Sequence, residues 1–153
     1  MKHKVLFLCA KNDLYSPMAE ALLNKLDSQH FEVMSAGIDR GEMHPIMVEV
    51  MKEIGIDLER RVPKTIRDVL DRSFDFVITL CDRARLECPM FEGAELVHWR
   101  LDDPLAALDR PRRKRMVQSL RDQIAQRVRL FALVQVRFAR SESGVHHDSA
   151  LSA

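Results

Sequence analysis

Apolar positions along this chain fall into short unbroken runs, separated by stretches in which they recur at helical spacing. Val5 to Cys9 is apolar throughout, the pattern of a central strand covered on both faces. Lys11, Asn12 and Asp13 break the run. Beyond them Met18, Ala19, Ala21, Leu22, Leu23 and Leu26 form one broad helical face, with Ser16 placed to cap it and Pro17 at its first position. Phe31 to Ala36 alternates and stops at Gly37, which predicts a second strand. Pro45 to Ile54 reads as an amphipathic helix closed by Gly55, and Pro63 to Leu70 as a short helix exposing Lys64 and Arg67. Phe74 to Leu80 is the second strongly apolar run and ends at Cys81. Glu95 to Trp99 is a weaker strand, followed by Leu101-Asp102-Asp103-Pro104. Met116, Val117, Leu120, Ile124, Val128, Phe131 and Val134 then keep helical spacing within a last helix from Pro111 to Phe138.

Strands alternating with helices predict an α/β fold, a mainly parallel sheet with helices on both sides. Residues 1–140 form one expected domain. Residues 141–153, small, polar and without period, form an expected flexible tail. The 153 residues suffice for one real core, and 46% hydrophobic with 31% charged residues excludes a disordered chain. A formal net charge of +1 argues against a protein built to coat nucleic acid or an acidic membrane. The cluster Arg112-Arg113-Lys114-Arg115 lacks interleaved aromatic residues and reads as solvated surface. No apolar run approaches the roughly 20 residues of a membrane span, and the first run is too short for a signal peptide. A cytoplasmic monomer is expected, with neither nucleic acid nor membrane as partner.

Three cysteines make an odd count, unsuited to a secreted disulfide framework, and in a reducing compartment thiols persist unless catalysis or sensing uses them. Their positions are informative. In open α/β sheets ligands bind beyond the carboxyl ends of the strands. Cys9 closes the first strand, Cys81 closes the third, and Asp102-Asp103 follows the fourth. The segment Ala10-Lys11-Asn12-Asp13-Leu14-Tyr15 joins a strand to a helix, so its N–H groups and the helix terminus can hold a tetrahedral oxyanion. The same field is expected to lower the Cys9 pKa and make it a nucleophile, with the Ser16 hydroxyl hydrogen-bonded to the sulfur. Zinc at Cys81 and Cys88 is disfavoured by their spacing and by the lack of a nearby histidine pair, so no metal is expected. His98 reads as a packing residue.

Cys9, Asn12, Ser16 and Met18-Ala19-Glu20 stand as in the phosphate loop of the low-molecular-weight tyrosine phosphatase superfamily. Ser35-Ala36-Gly37-Ile38, Glu53-Ile54-Gly55-Ile56-Asp57, Thr79-Leu80-Cys81 with Cys88-Pro89, His98-Trp99 with Asp102-Asp103-Pro104, and Arg121-Asp122 through Arg127 to Phe131 follow in the same order. Over residues 4 to 134 the chain resembles the thioredoxin-coupled arsenate reductases of that superfamily. The resemblance implies a three-layer fold with a four-stranded parallel sheet and flavodoxin-like topology. It also implies a relay in which Cys9 attacks arsenate, Asp103 protonates the departing oxygen, Cys81 releases arsenite, and Cys88 takes over the disulfide. No bound cofactor is implied, only an external thiol reductant, thioredoxin or similar. Some members bind potassium beneath the loop. Asn12, Glu20 and Ser35 match three of those ligand positions and Lys64 falls near the fourth, so the Lys64 ammonium is expected in place of the ion.

One position departs from the pattern. Tyr15 stands where the family's loop carries an arginine, which grips two oxyanion oxygens at once. Lys11 is the nearest substitute, with Arg83, Arg85 and Arg100 as candidates from neighbouring loops. Phosphoryl transfer depends almost wholly on such charge, whereas the later thiol steps of a relay do not, so the departure favours arsenate reduction. The alternatives are a low-molecular-weight tyrosine phosphatase and a non-catalytic oxyanion-binding or redox-sensing protein of the same fold.

Overall fold

The computed structural model describes residues 1–101 and 109–151, with side chains through Arg137. Four strands, β1 (His3–Cys9), β2 (Phe31–Gly37), β3 (Phe76–Thr79) and β4 (Glu95–His98), form a sheet in the order β2-β1-β3-β4. Every neighbouring pair is parallel, in keeping with the unbroken apolar run of the central strand β1. The helices are α1 (Tyr15–Asp27), α2 (Pro45–Lys52), α3 (Asp82–Glu87) and α4 (Arg110–Leu151).

Alternate side chains of β1 divide between two cores. Val5, Phe7 and Cys9 pack with α1, α2 and α4, while Leu6 and Leu8 pack with Val69, Phe74, Ala84 and Phe91 on the other face. Chain therefore leaves β1 on one face and β3 on the other. Between two adjacent strands of that kind the sheet opens a crevice at its carboxyl edge, and Cys9 ends the first of them.

The structure adjusts several predicted elements. α1 begins at Tyr15 with Leu14 as N-cap and no side-chain cap, so Ser16 lies inside the first turn. Its hydroxyl is used by the sulfur of Cys9 instead. The helix expected over Pro63 to Leu70 is only a 3-10 turn, Ile66–Asp68, closed by a Thr65/Asp68 capping box. The short helix α3 has no counterpart in the apolar pattern because Ala84 is its only buried residue. Asp102, Asp103 and Pro104 lie outside the described residues. α4 continues past Phe138 to Leu151, through the backbone of the expected tail. The sequence there lacks the apolar periodicity that marks the earlier turns.

α4 covers the α1 face through Val117, Leu120, Ile124, Val128 and Ala132, all buried, at spacings of three and four residues. Phe131 packs edge-on to Phe76, with centroids 5.1 Å apart, and also meets Phe31 and Trp99. Within the basic cluster, Lys114 bonds Glu49 at 2.8 Å and Arg112 bonds Asp109, so part of its charge is tied up in surface pairs. Replacing fully buried Ile124 by alanine is expected to cost about 2–5 kcal/mol. Urea unfolding should show a lower midpoint at unchanged slope.

Candidate active site

The loop between β1 and α1 is held from outside. The carbonyls of Cys9, Ala10, Lys11 and Asp13 accept hydrogen bonds from the N–H groups of Ile38, Asp39, Gly41 and His44, at 2.9–3.1 Å. With its carbonyls turned toward that segment, the loop turns N–H groups inward, and those of Lys11, Asn12 and Ser16 point to the Cys9 sulfur. Asn12 reaches this geometry in the left-handed region, at φ 53°. The supporting segment must approach closely. A Cβ on Gly37 would lie 2.6 Å from the Asn12 nitrogen, so only glycine fits there.

Beneath the loop lies a polar network in which every donor is assigned by its neighbours. Asn12 Oδ1 accepts from Arg61 Nη1 at 3.0 Å and from the Lys64 N–H at 2.8 Å. This fixes the amide orientation and leaves Asn12 Nδ2 to donate to Ser16 Oγ at 2.8 Å and to Ser35 Oγ at 3.0 Å. Ser35 Oγ donates to Glu20 Oε2 at 2.9 Å and accepts from Arg61 Nη2. The Ser16 hydroxyl proton is then free to face Cys9 Sγ, 2.8 Å away. Arg61 completes the network by bonding Glu20 Oε2 through Nη2 at 2.6 Å and Nε at 3.0 Å.

The cation among Asn12, Glu20 and Ser35 is thus the Arg61 guanidinium rather than the Lys64 ammonium. Lys64 contributes its backbone N–H. A planar fork of donors meets three separated oxygens better than a point charge does. No motif singles out Arg61 in the sequence. The signal available was Glu20, a carboxylate drawn into a half-buried position beside Ser35, which demands a cation nearby.

Cys9, 1% exposed, lies at the floor of a cleft of about 480 Å³. Ala10, Lys11, Asp13, Leu14 and Tyr15 line it from the loop, with Leu80, Cys81, Asp82, His98, Arg100 and Leu101 opposite. Asn12 is absent from the lining because its side chain is buried beneath the loop. Cys81 is the N-cap of α3, its sulfur accepting from the Ala84 N–H at 3.4 Å. Cys88 is outside the cleft at the other end of α3, where its thiol bonds the Pro89 carbonyl. His98, read from sequence as a packing residue, stands on the cleft wall with Nδ1 2.8 Å from Thr79 Oγ1.

Burial pushes the Cys9 thiol up from its ordinary pKa, against the lowering expected from the loop's field. The Ser16 hydroxyl and the N–H groups of Ser16, Asn12 and Lys11 act in the opposite direction and do not overcome it. Desolvation therefore dominates, and Tyr15 adds no positive charge to the loop to offset it. Burial likewise raises the half-buried Cys88 thiol.

These contacts carry two predictions. In a Cys81→Ser/Cys88→Ser background, ultraviolet thiolate absorbance should place the Cys9 titration above that of a free thiol. Ser16→Ala, which removes a bond to the charged form, should move it higher still. Arg61→Ala is expected to lower stability by about 3 kcal/mol, because it leaves the Glu20 carboxylate without its partner. Potassium chloride, compared with choline chloride in thermal melts, should recover part of that loss in the variant and leave the wild type unchanged.

Comparison with known proteins agrees with the geometry. Residues 4–140 match the family model described as low molecular weight phosphotyrosine protein phosphatase. An arsenate reductase from Halalkalibacterium halodurans is 38% identical over 133 residues, covering 86% of this chain and 96% of its own. That from Bacillus subtilis is 35% identical over 135 residues, covering 86% and 97%. Among solved structures, an arsenate reductase in its phosphate-binding state superimposes with a TM-score of 0.73 at 28% identity, over 86% of this chain and 96% of that one. The thioredoxin-dependent arsenate reductase of Corynebacterium glutamicum gives 0.69 at 31% identity, over 89% and 63%. A four-stranded parallel sheet in this order, a cysteine at the floor of its first strand-to-helix loop and a match over nearly the whole chain have one reading: the protein belongs to the low molecular weight phosphotyrosine protein phosphatase family.

Proposed function

We propose that this protein reduces arsenate to arsenite through Cys9, Cys81 and Cys88, taking electrons from a thioredoxin-like dithiol. The observation that carries the reading is the presence of Cys9 and Cys81 in one cleft, with Cys88 a single short helix away. Relatives named arsenate reductase, matched over almost their full length, support the same substrate. All three thiols are free, which suits a reducing cytoplasm, and no helix among the described residues is long and apolar enough to cross a membrane.

In the first step the Cys9 sulfur attacks arsenic and an arsenate oxygen leaves as water, taking up the thiol proton and one further proton. Asp103, outside the described residues, is the sequence's candidate for that acid. Inward N–H groups of the loop meet the oxyanion as charge develops on it. Cys81 then attacks the Cys9 sulfur. A sulfur–sulfur bond forms, the sulfur–arsenic bond breaks, and its electron pair stays on arsenic, which leaves as arsenite. Cys88 attacks the Cys81 sulfur, freeing Cys9 as thiolate, and the external dithiol reduces the Cys81–Cys88 bond.

The last exchange makes a demand on the fold. Cys81 and Cys88 cap opposite ends of the six-residue helix α3. A rise of 1.5 Å per residue separates them by about 10 Å. A disulfide needs Cα atoms within about 7 Å, so α3 must unwind for these two sulfurs to meet. With Ala84 its only buried residue, it has little packing to lose.

Arsenate-dependent oxidation of reduced thioredoxin tests the proposal. Turnover should be present in the wild type and lost in Cys9→Ser, Cys81→Ser and Cys88→Ser. Aryl phosphate hydrolysis that survives both later changes would identify a tyrosine phosphatase instead. Phosphate binding without either activity would identify a non-catalytic oxyanion-binding protein.

A further inference from the structure

The cleft has an anion cradle at its floor but no arginine in the loop that forms it. Four cations were candidates to stand in, and the structure separates them. Arg83 is bound to Asp39 at 2.6 Å and to Glu87 at 2.8 Å, away from the cleft. Arg85 lies 3.8 Å from Asp82 and does not line the cleft. Lys11 lines it, but its charge already acts on the half-buried Asp13 carboxylate beside it, and an ammonium cannot hold two oxygens in one plane. Arg100 lines the opposite wall and has no ion-pair partner among the described residues.

The base of Arg100 is well anchored. The preceding residue, Trp99, is 6% exposed, donates its N–H to the Thr79 carbonyl at 2.9 Å and stacks obliquely on Phe7. Phe7 lies in β1, two residues before Cys9. The exposed Arg100 side chain therefore springs from a point fixed to both strands that flank the site. An exposed guanidinium opposite inward N–H groups costs little to leave empty and gains most when a doubly charged oxyanion enters between them.

We propose that Arg100 grips the oxyanion, supplying from the end of β4 the bidentate contact that Tyr15 denies to the loop. The assignment rests on reading the cleft as an oxyanion site and names the residue that makes such a site competent. In this arrangement the nucleophile's loop carries neutral donors and the charge comes from across the cleft.

Inorganic phosphate titrated into the full-length protein, followed by calorimetry, tests this without requiring turnover. Arg100→Ala should weaken phosphate binding about 10- to 100-fold, the usual effect of losing a charged bidentate partner. The same variant should raise the KM for arsenate by a similar factor, and Arg100→Lys should fall between it and the wild type. Arg85→Ala should leave both quantities unchanged. Adding Tyr15→Arg to Arg100→Ala should recover binding. Phosphate binding to Arg100→Ala as tight as to the wild type, in a protein of unaltered melting temperature, would overturn the proposal, and its loss in Lys11→Ala would assign the grip to that residue. Arg100-dependent phosphate binding without arsenate reduction would sink the proposed function alone.

Discussion

The structure turns on one requirement, that a buried thiol be surrounded by backbone N–H groups. A peptide loop cannot aim its N–H groups inward without turning its carbonyls outward, and each of those needs a donor. Here the segment after β2 supplies them, from Ile38, Asp39, Gly41 and His44. Parallel pairing of β2 with β1 brings that segment alongside the loop, and Gly37 lets it come close enough. The order β2-β1-β3-β4 therefore does more than place Cys9 at a crevice. It provides the strand extension without which the cradle would not hold its shape.

Charge is distributed around this cradle in layers. Beneath it the Arg61–Glu20 pair is nearly neutral as a unit and acts on the sulfur only through Asn12 and Ser16. Inside it there are neutral dipoles alone, and burial governs the thiol. Positive charge on the solvent side comes from Lys11 and Arg100. Burial, with no full charge inside the cradle to oppose it, holds the Cys9 thiol above its ordinary pKa.

Most of the fold and the position of the nucleophile are legible in the amino-acid sequence. The unbroken apolar run at Val5–Cys9 and the mainly apolar one at Phe74–Leu80 predict strands covered on both faces, and Cys9 and Cys81 at their ends fall at the sheet edge where ligands bind. α4 is legible as far as its apolar stripe lasts. Three features are not. Ser16 has the chemistry of a cap, yet a hydroxyl inside the first turn and one at the cap look alike in sequence, and only the position of the sulfur decides between them. α3 carries no periodicity because one residue is buried. Arg61 lies 41 residues from Glu20 along the chain, so their pairing depends on the tertiary fold. Lys64 is near enough in sequence to be expected at the same place, but the backbone there directs its N–H and not its ammonium toward Asn12.

α3 also has an energetic consequence beyond the distance it imposes. Reduced, the helix is wound between Cys81 and Cys88; with those two sulfurs bonded it cannot be. Whatever stabilises its six residues, including the Arg83–Glu87 pair along its face, therefore favours the dithiol over the disulfide. For a two-electron couple about 1.4 kcal/mol of such preference raises the reduction potential by about 30 mV. In the proposed relay the helix is a spring compressed by oxidation, and its sequence, on the rim of the cleft that holds Cys9, would tune how readily an external dithiol reduces the Cys81–Cys88 pair.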